Sequence, residues 1–160
     1  EATPRAGARV GRGGRAGGGG LMRSAERVDR TVRRAEESGA TAFAVAGLRP
    51  ADMYFAQICE SFPITVILTL EALGFGAPGE GGAFVSGGRI TPGGAVPMNT
   101  SGGGLSYCHP GMFGIFLIIE AVRQLRGECG QRQVPDARLG LVSATGYVLS
   151  SSATCILARG

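Results

Sequence analysis

Between Gly111 and Arg126 the chain places Met112, Phe113, Ile115, Phe116, Leu117, Ile118, Ile119, Ala121, Val122 and Leu125 on one helical stretch, with no polar stripe before its last turn. A helix that is apolar on nearly every side has to be covered all round, which places it inside a layered structure. Strand-like segments flank it: "AVPMN" before, "RLGLVSATG" and "YVLSSSATCILA" after, the last two joined near Gly146–Tyr147. Strand–helix–strand alternation argues for an α/β layer sheet. With 160 residues the chain can build one domain with a real core but not two ordinary ones.

Upstream, "LMRSAERVDRTVRRAEESGA" has Leu21, Ala25, Val28 and Val32 at helical spacing and reads as a polar helix stopped by Gly39. "TAFAVAGLRPADM" is then a small-residue segment with a turn at Arg49–Pro50, where Asp52 serves as cap or turn residue. "MYFAQI" is a short strand, and "SFPITVILTLEALG" a helix with Pro63 in its first turn and Gly74 at its end. "GFGAPGEGGAFVSGGRITPGG" is a long loop region with room for a hairpin around "GAFVSGGRI".

Charge divides the chain unevenly. Residues 1–34 carry nine arginines against three acids, whereas the remainder is slightly acidic. The segment "EATPRAGARVGRGGRAGGGG" lacks interleaved aromatics and reads as a disordered tail (residues 1–20), with nucleic-acid binding as the alternative. Cys59, Cys108, Cys129 and Cys155 form no C-x-x-C pair and have no histidine cluster, so no metal site is expected. Residues 1–20 hold no apolar stretch of the signal-peptide kind, and the longest apolar run is too short for a membrane span. A cytoplasmic location is the simplest expectation.

Two stretches invite a chemical reading. Gly74-x-Gly76-x-x-Gly79 has the spacing of a dinucleotide fingerprint, but a helix precedes it where a strand is required, so it carries no nucleotide site. "NTSGGGLSYCHPGMFG" is different. It sets the chain's single histidine, His109, with Tyr107 and Cys108 between three glycines and a helix opened by Pro110. A helix start offers unpaired N–H groups and partial positive charge to a developing oxyanion; an imidazole N–H adds a donor, and a phenol passes a proton. The same residues also suit a histidine packed at a helix entry with a rim tyrosine, and spacing alone leaves both readings open.

From Thr41 onward, three blocks resemble the C-terminal half of the thiolase superfamily, of the sterol-carrier or lipid-transfer type: "ADMYFAQICESFPITVILTLEALGFG", "GGAVPMNTSGGGLSYCHPGMFG" and "ATGYVLSSSATCILA". The second is similar to the family's N-x-x-G-G-x-x-x-x-G-H-P-x-G-x-x-G block, with Asn99, Gly102, Gly103, His109, Pro110, Gly111 and Gly114 in matching or near-matching places. The resemblance implies an α/β, thiolase-like layered fold over residues 41–160, a mixed sheet with a buried apolar helix. Residues 21–40 are then a polar helix or linker. It also implies acyl-CoA thioester substrates, with coenzyme A entering as part of the substrate and no tightly bound cofactor. By position His109 is a donor to the thioester oxyanion, and Asn99, Gly102, Gly103, Cys108 and Cys59 line the substrate site.

Three departures bear on the reaction. No stretch here resembles the block that carries the family's nucleophilic cysteine. The family's second cysteine, a general acid/base, falls at Thr145, whose hydroxyl has no useful pKa for proton transfer near neutrality. The asparagine or histidine of a further family block is Cys59 in "CESF". His109, Tyr107 and Tyr147 remain, a set that resembles the thiolase-like retro-aldolases of steroid side-chain degradation. Acyltransferase, retro-aldol carbon–carbon lyase and non-catalytic lipid- or CoA-binding fragment are the alternatives. The resemblance further implies a homo-oligomer for the full-length protein and, for the retro-aldolase type, a partner with a zinc ribbon and an OB-fold.

Overall fold

The computed structural model describes residues 27–108, 111–146 and 151–160, with side chains of the first helix described from Arg33 onward. The tail at 1–20 and the apolar stripe from Leu21 to Val32 lie outside what is described.

Helix α1 (Arg27–Ala46) runs straight through Gly39, where the sequence predicts a stop. The glycine serves packing: a Cβ there would lie 2.5 Å from Leu73 Cδ2 on the next helix. The helix ends eight residues later at Gly47, whose φ of +66° suits a left-handed cap. Arg49–Asp52 form the expected turn, the Asp52 carboxylate accepting the Arg49 N–H at 2.7 Å. Strand β1 (Phe55–Ile58) and helix α2 (Pro63–Ala72) follow as predicted, with Pro63 at the first helical position and Gly74 in the left-handed region just beyond. The loop region forms a short helix, α3 (Gly81–Val85), in place of a hairpin. "AVPMN" contributes only a parallel bridge between Met98 and Ala56.

Helix α4 (Gly114–Arg126) leads to strands β2 (Leu139–Gly146) and β3 (Ser151–Ala158). The sheet order is β1-β2-β3, with β1 parallel to β2 and β2 antiparallel to β3, a mixed sheet. Side chains alternate between its faces. Ala56, Ile58, Leu141 and Ile156 join the core under α1 and α2, whereas Phe55, Val142 and Leu157 join Phe113, Leu117, Ala121 and Leu125 of the α4 layer. The sheet is thus covered on both faces, and β1 is buried along its whole length.

Helix α4 departs from the all-round burial its composition predicts. Its sheet-facing side buries Leu117, Ala121 and Leu125 together with the polar Glu120 and Gln124. Its opposite side leaves Ile115, Phe116 and Ile119 about half exposed, and Met112 just before it is 89% exposed. The apolar residues outnumber the places this chain has to bury them.

Candidate functional site

The site forms where β1 ends. Asn99 follows Met98 in a left-handed conformation (φ +44°) that asparagine tolerates better than most residues. Its side chain takes the place of a strand partner. Oδ1 accepts the Ile58 N–H at 2.8 Å, and Nδ2 donates to the Ile58 carbonyl at 3.0 Å. The same Nδ2 lies 3.0 Å from Glu60 Oε2. One amide thus ties the loop after residue 98 to the end of β1.

That loop wraps around the Glu60 carboxylate. Gly102 and Gly103 take φ values of +101° and +65°, and the Leu105 N–H points at Glu60 Oε1 at 3.3 Å. A Cβ at Gly103 would overlap Glu60 Oε1. The room at Gly103 is taken by a side chain of the protein itself. Burial pushes the Glu60 carboxyl above the usual carboxylate range, against the pull of the Leu105 N–H, its own N–H, the Gly104 N–H and the Asn99 amide.

Cys59 precedes this carboxylate. Its N–H donates to the Ser143 carbonyl at 2.9 Å, extending the β1–β2 pairing. Burial raises its thiol above the ordinary value; a hydrogen bond with the Thr145 backbone opposes this and the nearby Glu60 charge adds to it. The two positions at which the chain departs from the family pattern are therefore neighbours in space. Tyr107 and Cys108 are exposed, and the Tyr107 hydroxyl donates to the Ser101 carbonyl at 3.0 Å, within its own loop. His109, Pro110 and Tyr147 lie outside the described residues.

A second polar cluster braces the loop from below. Thr100, next to Asn99, donates to Glu120 Oε1 at 2.8 Å and accepts from Gln57 at 2.9 Å and Gln124 at 3.0 Å. Arg132 closes on Glu120 with a two-pronged pair at 3.0 and 3.1 Å. Burial by itself would raise the Glu120 carboxyl. The hydrogen bonds from Arg132, Thr100 and Gln124, with the Arg132 charge, outweigh it and hold the group below the ordinary range. Neither Glu60 nor this cluster is anticipated from the sequence. A signal for the latter was present, since Glu120 and Gln124 sit four apart on a helix with few other polar positions.

Among the described residues no group of His, Cys, Asp or Glu side chains could hold a metal ion, and no helix is long and apolar enough to cross a membrane.

Comparison with known proteins agrees with this architecture. Residues 20–159 match the family described as thiolase C-terminal domain-like. The chain is 38% identical over 138 residues to acetyl-CoA acetyltransferase of Methanothermobacter thermautotrophicus, covering 86% of this chain and 35% of that protein. It is 41% identical over 107 residues to sterol carrier protein 2 of Oryctolagus cuniculus, covering 66% of this chain and 20% of that one. A solved structure titled Ltp2-ChsH2(DUF35) aldolase superposes with a TM-score of 0.69 at 36% identity, over 78% of this chain and 31% of its own. The chain belongs to the thiolase superfamily, as its C-terminal domain. It spans between a fifth and about a third of the length of these relatives.

Proposed function

We propose that this domain forms half of an enzyme acting on acyl-CoA thioesters of a lipid or sterol type. The observation that carries the proposal is the continuous family match over residues 20–159, with relatives named as an acetyl-CoA acetyltransferase and a sterol carrier protein. In this reading His109 and backbone donors near the start of α4 stabilise negative charge on the thioester oxygen. One such donor contributes on the order of 3 kcal/mol to a transition state.

Within that class we favour carbon–carbon cleavage over acyl transfer. Thr145 stands where the family's acid/base cysteine is expected, and the solved relative at 36% identity is titled an aldolase. A base, for which Tyr107 or Tyr147 is the candidate, takes the proton of a β-hydroxyl. The Cα–Cβ bond breaks, the β-carbon becomes a carbonyl, and the electron pair moves onto the thioester as an enolate. Protonation at Cα then releases a shortened acyl-CoA. A phenol with a pKa near ~10 needs positive surroundings to act as that base.

The partners follow from the same relatives. The exposed side of α4 suits the remaining part of a thiolase-like protomer or a second copy. The solved aldolase's title suggests a companion protein of the ChsH2(DUF35) kind.

The test uses the full-length protein with a β-hydroxyacyl-CoA. Release of a ketone or aldehyde with no dependence on free coenzyme A supports the lyase; turnover only of a 3-ketoacyl-CoA with free coenzyme A restores the transferase. Turnover of neither removes both. Loss of cleavage in Tyr107→Phe assigns that phenol the proton step, and unchanged cleavage withdraws it.

A further inference from the structure

The glycine loop at 102–105 bends through two residues of positive φ, Gly102 and Gly103, and turns the Leu105 N–H towards a carboxylate, as a backbone anion site does. Such sites usually meet a phosphate or carboxylate from outside. Here the position is filled from within. Glu60 enters from the end of β1, is buried, and meets the Leu105 N–H and the Asn99 amide. Gly103 is the residue whose missing side chain makes the room.

We propose that Glu60 is a positioning residue, a resident anion that fixes the loop carrying Tyr107 and Cys108. Three features of the structure support this. The carboxylate is the shared partner of the Asn99 side-chain amide and the Leu105 backbone amide, at the two ends of residues 99–105. Beyond the Asn99 and Thr100 anchors, the far end of the loop is open, since Leu105, Ser106, Tyr107 and Cys108 are all exposed. And the arrangement works against the stability of the ionised group, because burial raises its pKa.

Amide hydrogen exchange reads this directly and needs no turnover, so it stands or falls apart from the acyl-CoA reading. In full-length protein carrying Glu60→Ala, the Gly104 and Leu105 amides exchange on the order of tenfold faster, while the β2–β3 ladder keeps its wild-type protection. Sodium formate, which supplies a small carboxylate to the vacated site, slows those two amides again several-fold. Sodium chloride at equal ionic strength leaves them fast. Gly103→Ala, which displaces the carboxylate without removing it, gives the same local increase, and formate does not reverse it.

Where Glu60→Ala does not fold, Glu60→Gln takes its place: the two amides exchange faster while thermal stability is unchanged or higher. Wild-type exchange at Gly104 and Leu105 in the variant that folds, or an increase in Glu60→Ala that formate leaves untouched, overturns the proposal.

Discussion

Glu60 and Glu120 are both buried carboxylates, and their surroundings push them in opposite directions. Glu60 has neutral amide donors only, and burial wins, so its proton is held more tightly in the folded chain than in the unfolded one. Its ionised form costs stability above its raised pKa, and that cost disappears as pH falls through it. Glu120 has a guanidinium as well as neutral donors, and its pKa is lowered. Its contribution is therefore present above the ordinary carboxylate value and is lost as pH falls through the lowered one. Glu120→Gln is expected to destabilise by about 2–3 kcal/mol in urea at neutral pH, the low end for a broken buried pair because Arg132 is 39% exposed. The difference between wild type and variant should shrink below pH ~4. A difference that stays constant down to acid pH would show that the ionisation of Glu120 contributes nothing.

At the scale of elements, close contacts at glycines decide where helices run and how strands meet. Gly140 on β2 pairs with Phe55 on β1, and the Phe55 ring lies across the place a Cβ would occupy, with Cε1 2.8 Å away. Phe55 is fully buried and cannot swing aside. Gly140→Ala should therefore cost about 1–3 kcal/mol by overpacking, despite the gain from replacing a strand glycine. Equilibrium denaturation with an unchanged m-value would bear this out; an equal or higher midpoint would mean that the ring relocates freely. The same physics separates what could be read from the sequence from what could not. Pro63 and Gly74 bound α2 because their backbone preferences act locally. Gly39 misleads because it answers to Leu73, 34 positions away, and not to its own helix. The segment "GAFVSGGRI" has the look of a hairpin, yet its first residues close a helical turn instead, with the Phe84 N–H bonded to the Glu80 carbonyl at 2.8 Å. In the site, the glycine-rich block stands out in the sequence as a loop built for close approach. That the approaching group is Glu60 could not be read there, because the pairing depends on β1 ending beside residue 99.

For the whole molecule, the informative feature is the inversion of α4. Its sheet side holds an ion pair and two glutamine amides in a polar cluster beside Leu117, Ala121 and Leu125, while Ile115, Phe116 and Ile119 face outward after the exposed Met112. A soluble monomer rarely presents a contiguous apolar surface of this kind. The Leu105–Cys108 loop, a few residues before the helix in the chain, is exposed as well. The 160-residue chain expressed by itself is therefore expected to associate, with a sedimentation coefficient that rises with concentration. Replacing Ile115, Phe116 and Ile119 together by glutamine should shift it toward monomer without altering its circular dichroism, because none of the three is part of either buried core cluster and glutamine is a good helix former. On the proposed reading, in which a covering half or partner occupies the face in the full-length protein, the same triple change should abolish assembly or activity there. A wild-type chain that stays monomeric at every concentration would mean that this surface is satisfied by water, and the need for a covering half or partner would fall with it.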